Sequence, residues 1–328
     1  MFKDSEKFLS IIIPFYNSAL TVGSLIKLIN SNFFFNTEII VIDDASTDGS
    51  KEVIERELQK IDNTIFLKNE TNMGAGISRN RGLEAATGKY ILFFDADDML
   101  HADAIKNAIH LMDRDSNIDV AVFQYKYMAD VSDVFSGMSY IDEQIFSAIL
   151  DGKRKRIVTI NSHPELTRIS NYPWNKVIRS SRYKDNLLFG STKVHNDIYA
   201  NWQILTKARK ILVSDDVICT HILNSHGSNL TNLQSKERLE LFIALTDTYE
   251  MLEASPHIRK ICAIYFWDLA TSLASWSRSR IEDEFESDFN LAYDKLIGKI
   301  NLEDILVLRK CGYSAVLNNM TDRTLCLG

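Results

Sequence analysis

Through the first hundred residues, short apolar runs alternate with apolar residues at helical spacing, and each run hands over to polar or glycine residues at its carboxyl end. Ser10-Ile11-Ile12-Ile13 predicts a first strand, stopped by Pro14, which has no N–H to give to a ladder. Ala19, Val22, Leu25, Ile26 and Ile29 then recur at the spacing of one helix face. A second strand, Glu38-Ile39-Ile40-Val41-Ile42, runs into Asp43-Asp44, and the cap-rich Ser46-Thr47-Asp48-Gly49 leads to a helix carrying Val53, Ile54, Leu58 and Ile61. Thr64-Ile65-Phe66-Leu67 is the third strand. Asn72-Met73-Gly74-Ala75-Gly76 opens a helix that closes near Thr87-Gly88, and Tyr90-Ile91-Leu92-Phe93-Phe94 is the fourth strand. This alternation is the signature of βαβ units around a mostly parallel sheet flanked by helices. Ligands of open α/β sheets bind outside the carboxyl ends of the strands, so residues 14–17, 43–44, 72–76 and 95–98 converge on one crevice.

Beyond residue 100 the pattern loosens. A helix is expected from Ala102 to Met112 and a strand at Val120-Ala121-Val122-Phe123. The next forty residues show no clear period, and their basic run Lys153-Arg154-Lys155-Arg156 reads first as solvated surface, with an acceptor or phosphate contact as the alternative. Tyr172-Pro173-Trp174-Asn175-Lys176 marks an aromatic turn, and two short strands, Ile211-Leu212-Val213 and Val217-Ile218-Cys219, flank Ser214-Asp215-Asp216. From about Leu233 onward the spacing is helical. The division expected is a unit over residues 1–230, with halves 1–125 and 126–230, followed by a helical C-terminal region over 231–328.

The fourth strand ends in Asp95-Ala96-Asp97-Asp98, three carboxylates within four residues. Like charges where an apolar strand surfaces repel one another and lose hydration, and a divalent cation is the simplest offset. Oxygen ligands suit Mg²⁺ or Mn²⁺, and Mg²⁺ takes one or two carboxylates and completes its shell with substrate phosphates and water. A phosphorylated, nucleotide-linked substrate follows as the expectation.

Composition narrows the field. The net charge of −7 over 328 residues argues against broad binding to nucleic acid. Cys219, Cys262, Cys311 and Cys326 are scattered without a CxxC pair, which fits free thiols in a reducing compartment. No apolar stretch reaches the roughly 20 residues that span a bilayer, so the expected location is the cytoplasm, including the inner face of the membrane.

Taken together, Ile13-Pro14-Phe15-Tyr16-Asn17, Val41-Ile42-Asp43-Asp44-Ala45-Ser46-Thr47-Asp48-Gly49-Ser50, Asn72-Met73-Gly74, Ser78-Arg79-Asn80 and Phe94-Asp95-Ala96-Asp97-Asp98 resemble, in order and spacing, the N-terminal half of family 2 glycosyltransferases. Trp174-Asn175-Lys176, Asn196-Asp197 and His226-Gly227-Ser228 continue the resemblance more weakly to about residue 231. The resemblance implies a GT-A fold and an inverting transfer from a nucleotide-sugar, a UDP-sugar first, to a glycan or lipid-linked acceptor, with Mn²⁺ or Mg²⁺ as cofactor. It places Asp44 on the edge of the base, beside Pro14 and Tyr16 as its flat surface, with a capping or turn aspartate as the alternative; Asn72 and Gly74 form a tight nucleotide-binding loop, Arg79 reaches phosphate or ribose or is plain surface, Ser228 donates to a phosphate, and Asp95 approaches ribose or metal waters. Asp97 becomes the direct metal ligand, with His226 as a further one and His221 its competitor, and Asp98 the cap of the following helix or another ligand.

Asp197 matches the family's catalytic base, commonly in a Glu-Asp pair; here Asn196 stands in place of the glutamate. An inverting transfer needs one base opposite the leaving group, and a single carboxylate suffices. Trp174 and Lys176 are the acceptor-side candidates, Trp174 with ordinary core as its equal alternative.

Two other enzyme classes fit less well. A nucleotidyltransferase would carry a glycine- and lysine-rich loop after its first strand, a nicotinamide oxidoreductase a GxGxxG, and Pro14-Phe15-Tyr16-Asn17 is neither. An inactive sugar-binding scaffold built on the same fold is the non-enzymatic alternative. For the helical C-terminal region, packing on the rest of the chain is the default, and a homodimer or peripheral membrane contact the alternative.

Overall fold

β1 (Leu9–Phe15), β2 (Thr37–Asp43), β3 (Thr64–Lys68) and β4 (Tyr90–Phe93) lie parallel in the order β3-β2-β1-β4. They belong to a computed structural model that describes residues 8–33, 36–130, 133–135, 137–223 and 233–318. Every residue of β1 is buried, as an unbroken isoleucine run demands of a parallel strand covered on both faces. Helices α1 (Val22–Asn32), α2 (Ser50–Leu58) and α3 (Ala75–Ala85) make the crossovers. β2 and β3 follow β1 on one side while β4 lies on the other, so the strand order reverses between β1 and β4, the place where open α/β sheets bind their ligands.

Pro14 does not stop β1, which continues to Phe15 with Pro14 opposite Ile42 of β2. The reason lies in direction. Ile12 O accepts from Phe94 N on the β4 side and Phe15 O from Asp44 N on the β2 side, so Pro14, in phase with Ile12, directs its missing donor toward β4. The last β1–β4 pair is Ile12 with Phe93, and no ladder bond is lost.

Next come β5 (Met99–Leu100), α4 (Ala102–Arg114), β6 (Ile118–Asp130), β7 (Asp133–Phe135), α5 (Tyr140–Leu150), β8 (Lys155–Val158), β9 (Lys176–Arg179), α6 (Ser180–Tyr183), α7 (Ile198–Lys207) and β10 (Lys210–Ile222). The sheet continues β4-β9-β6-β10-β5, with β9 antiparallel to both of its neighbours. The two strands expected around Asp215-Asp216 are one. Ser214 pairs with Phe123 and Val217 with Gln124, so Asp215 and Asp216 are the extra residues of a bulge. At the bulge β10 changes its outer partner, from β8 before it to β5 after it.

α8 (Glu240–Glu253), α9 (Pro256–Arg278), α10 (Glu286–Ile297) and α11 (Leu302–Lys310) follow. One hydrophobic cluster runs from Ile12, Ile40 and Phe93 through Trp202 of α7 to Tyr249, Phe266 and Trp267. Burying a large side chain such as Phe266 contributes roughly 1.5–3 kcal/mol. Asp304 accepts from Tyr249 Oη at 2.6 Å and Trp267 Nε1 at 3.0 Å, which ties α8, α9 and α11 through one buried carboxylate. Ile261, Ile264, Leu269 and Leu273 pack, half-buried, against the same cluster. Among the described residues, no helix is long and apolar enough to cross a membrane.

Candidate active site

The loops after β1 and β2 are laced together. Asn17, at φ 49°, accepts from Thr47 N at 2.8 Å and Asp48 N at 3.3 Å, while Ser18 N donates to Ser50 Oγ at 2.8 Å. Asp43 is fully buried, and its Oδ1 accepts from Ser46 N at 2.8 Å. Asp44 is also buried. Its Oδ1 accepts from Asn69 Nδ2 at 2.6 Å and Met73 N at 2.9 Å, and its Oδ2 from Gly74 N at 2.8 Å. These are the bonds of a turn aspartate; they use three of about four lone-pair sites and leave room for one further donor. Tyr16 is 47 % exposed and offers a flat surface, whereas Pro14 is buried in the sheet and offers none, against expectation. Asn72 is exposed.

Gly74 holds φ 86° at the N-cap of α3, a conformation that favours glycine. Gly76 is required for a different reason. A Cβ there would overlap the Gly190 carbonyl oxygen and stand 2.8 Å from Asn196 Cβ, so α3 touches the segment that carries Asp197. Gly76→Ala is expected to cost about 1–3 kcal/mol, read as a lower urea midpoint with an unchanged slope.

Arg79 leaves α3 on that same side. It is 5 % exposed, its Nη1 donates to Asn196 Oδ1 at 2.9 Å and its Nη2 to Asp95 Oδ1 at 2.6 Å, and its guanidinium lies 5.4 Å from the centre of the Phe189 ring. Asn80 exchanges both amide bonds with the backbone of Phe189, at 2.8 and 3.0 Å. Beside the phosphate or ribose contact expected of it, Arg79 thus has a role inside the protein. Two donors of the guanidinium join the carboxylate loop to the Asp197 turn, while its Nε is buried without a hydrogen-bond partner. Asn196 meets Arg79 as a neutral acceptor, and Asp95 is the carboxylate its guanidinium bonds among the described residues.

His195 adopts φ 59°, and burial, with the charge of Arg238, holds it down near a pKa of 4. Asp197 follows at the N-cap position of α7, where its carbonyl accepts from Asn201 N at 2.9 Å but its carboxylate makes no capping bond. Burial pushes that carboxylate up from 3.8 to about 6, against the opposing charge of Arg79, with Asp95 adding to the rise and Lys176 opposing it. A base poised near neutrality results.

Lys176 and Trp174 are both interior. Lys176 Nζ donates to Tyr172 O at 3.1 Å and to Asn175 Oδ1, and burial pushes it down to about 7 while Asp142 and Asp197 pull it up. Trp174 is fully buried, stacked on Tyr172 at 4.5 Å and flanked by Tyr125 and His221. Neither presents a surface to an acceptor; the charge of Lys176 is felt by Asp197.

The three carboxylates divide their work. Asp95 is held by Arg79. Asp98 Oδ1 accepts from His221 Nδ1 at 2.8 Å and Ile222 N at 3.1 Å, which ties the loop to β10, and its Oδ2 is buried without a partner. It caps no helix, since His101 is the N-cap of α4. Burial works against protonation of His221, but its bond to Asp98 and the charges of Asp98, Asp95 and Asp97 outweigh that and raise its pKa. Asp97, partly exposed, is pushed up to about 6 by burial and then by Asp98 and Asp95, the signature of a carboxylate lacking a counter-charge. No group of three or more His, Cys, Asp or Glu that could hold a metal ion occurs among the described residues. Asp97 with the second oxygen of Asp95, both partly exposed, fits the one or two carboxylates of a Mg²⁺ or Mn²⁺ shell, whereas the spare oxygen of Asp98 is buried. His226 and Ser228 lie outside the described residues.

Residues 10–169 match the model of Glycosyl transferase family 2. That segment, just under half of the chain, belongs to the family. A cholesterol galactosyltransferase of Borreliella burgdorferi is 27 % identical over 253 residues, 71 % of this chain and 65 % of that relative. The uncharacterized glycosyltransferase YibD of Escherichia coli is 25 % identical over 260 residues, 76 % of this chain and 72 % of the relative. Three curated relatives are matched over only 65, 47 and 36 % of their own length. Among solved structures, Staphylococcus aureus TarS 1-349 in complex with UDP-GlcNAc superposes with a TM-score of 0.73 at 21 % identity, covering 96 % of this chain and 88 % of TarS 1-349. The mannosyltransferase PcManGT of Pyrobaculum calidifontis, with GDP-Man and Mn²⁺, gives 0.54 at 15 % identity, covering 98 and 88 %. The family's GT-A fold is the fold of this chain, with helices following it at the C-terminus.

The chemistry that sequence reasoning missed is the joining of its parts. Arg79 and Asn196 are 117 residues apart, and nothing in either motif names the other.

Proposed function

We propose that this chain moves a sugar from a nucleotide donor, a UDP-sugar first, to a hydroxyl of a glycan or lipid-linked acceptor, with inversion. The observation that carries the reading is the Arg79 fork, which joins the carboxylate loop to the Asp197 turn through one cation and supports reading them as the leaving-group side and the base of one site. The donor names of TarS and PcManGT support a nucleotide-sugar. Asp97, with the second oxygen of Asp95, would hold Mn²⁺ or Mg²⁺, which when bound neutralises charge on the departing diphosphate.

The acceptor oxygen attacks the anomeric carbon as the bond from that carbon to the phosphate oxygen breaks, and the acceptor proton passes to Asp197. Asp44 and Tyr16 give the base a carboxylate lone pair and a flat face. Hydrolysis of a panel of nucleotide sugars with and without Mn²⁺ tests the reading. At least tenfold stimulation on one donor is expected; no turnover and no metal-dependent nucleotide binding would remove it.

The pH profile gives a sharper check. Asp197 must be ionised to accept a proton, so kcat/KM is expected to rise tenfold per pH unit up to about 6 and then level off. Asp97 titrates near the same pH, but a cation displaces its proton. A midpoint that stays fixed as Mn²⁺ is raised assigns the limb to Asp197, and one that falls steadily assigns it to Asp97.

A further inference from the structure

A second cleft, of about 640 Å³, opens away from the residues just described, lined by Gln124, Lys126, Glu143, Lys153, Arg154 and Asp215 among others. That volume is in the range of small-molecule sites. It absorbs two sequence features left without a task, the basic run at 153–156 and the Asp215-Asp216 pair. The bulge creates one wall by throwing Asp215 and Asp216 out of β10, where they hold Arg154, Nε to Asp215 Oδ2 at 3.2 Å and Nη2 to Asp216 Oδ1 at 3.1 Å. Lys155 Nζ meets Asp216 Oδ2 at 2.8 Å. With those cations satisfied, Lys126 and Lys153 are exposed and make no ion pair among the described residues. Asp215 Oδ1 is buried without a hydrogen-bond partner.

The lining selects its ligand. Two unpaired ammonium groups would be stranded by an apolar molecule. Glu143, exposed in the lining, gives one oxygen to Met138 N and leaves the other as an acceptor that would repel a bare anion but suit hydroxyl donors. The one aromatic in the lining, Tyr125, has its hydroxyl committed to Asp142 at 2.8 Å and its ring packed on Trp174 and Tyr172. A polyhydroxylated molecule with an acidic group meets every requirement.

Place adds the role. β6 and β10 run on from this cleft to the crevice; Val217 lines the cleft and His221, on Asp98, lies four residues further along β10, about 13 Å at strand rise. Lys126 pairs in register with Thr220, whose Oγ1 lies 2.9 Å from His101 Nε2.

We infer that this cleft is an acceptor subsite that holds an acidic saccharide unit remote from the reacting hydroxyl, with Lys126 and Lys153 meeting its carboxylate or phosphate. The inference rests on the reading of the acceptor as a glycan. Calorimetric titration of the full chain with a galacturonate tetramer, trehalose 6-phosphate and neutral maltotetraose tests it and tells carboxylate from phosphate. One acidic probe is expected to bind saturably, at least tenfold more tightly than maltotetraose, and to weaken at least tenfold in the Lys126→Ser/Lys153→Ser double variant. Both lysines are exposed, and unchanged UDP binding by the variant confirms an intact crevice.

The inference is overturned if neither acidic probe binds saturably, if the double variant binds as tightly as the parent, or if maltotetraose matches the acidic probes. Donor hydrolysis reports on the proposed activity independently: its loss with probe binding intact would refute that reading and leave a saccharide site, and the converse would refute the subsite alone.

Discussion

Asp197→Asn is expected to lower kcat for sugar transfer by about 10²–10⁴-fold, the usual contribution of a positioned general base, while UDP binding changes little. The amide keeps the shape of the side chain, and the capping geometry does not depend on the carboxylate, whose oxygens make no capping bond. What is lost is proton acceptance alone. The same substitution carries a stability signature. The folded pKa of Asp197 lies above its ordinary value of 3.8, at about 6, so the fold binds the proton more tightly than the unfolded chain does. Its stabilising share is present in full below pH 3.8 and is lost as pH rises through 6. The neutral amide should therefore raise the melting temperature at pH 7 and not at pH 4. Transfer kinetics and melting curves at the two pH values check both parts, and a kcat within threefold of the parent removes Asp197 from the chemistry.

Arg79→Ala is expected to lower turnover about a hundredfold and to cost about 1–3 kcal/mol, the penalty of stranding buried hydrogen-bond partners. Asp95, 29 % exposed at its side chain, can rehydrate; Asn196, buried, loses its donor outright. Arg79→Lys separates charge from geometry. An ammonium supplies the cation but cannot present two parallel donors to Asp95 and Asn196 at once. Stability near the parent with turnover still depressed is the result expected of a clamp. Urea unfolding beside donor hydrolysis measures both, and full activity in Arg79→Lys would show that charge alone suffices.

The first half of the fold was legible because buried parallel strands leave unbroken apolar runs such as Ile11-Ile12-Ile13 and Ile39-Ile40-Val41-Ile42. The middle was not. β9 consists of Lys176, Val177, Ile178 and Arg179, all buried, and two charged ends hide a central strand from any hydropathy pattern. Arg179 is satisfied by carbonyls of Met112 and Ile118, far away in sequence, which no local window contains. β10 reads as two strands because the bulge inserts Asp215 and Asp216 into its apolar run.

In the site, the carboxylates and Asp197 were visible as motifs, but their partners were not. Asp98 depends on His221 and Asp95 on Arg79, contacts made by the sheet order and not by spacing along the chain. Trp174 and Lys176 were visible as an unusual turn, yet only the fold shows them facing inward.

The position of β9 between β4 and β6 governs how this chain could be recombined with relatives. A crossover placed after residue 125 would bring β4 of one parent against β9 of another, and the Arg79 of one against the Asn196 of the other. Where the other parent carries glutamate at 196, the hybrid would set two anions on one guanidinium. Donor preference in this scaffold should therefore be transplanted as residues 1–125 together with the segment from Lys176 to Asn201, two pieces of chain inherited as one block.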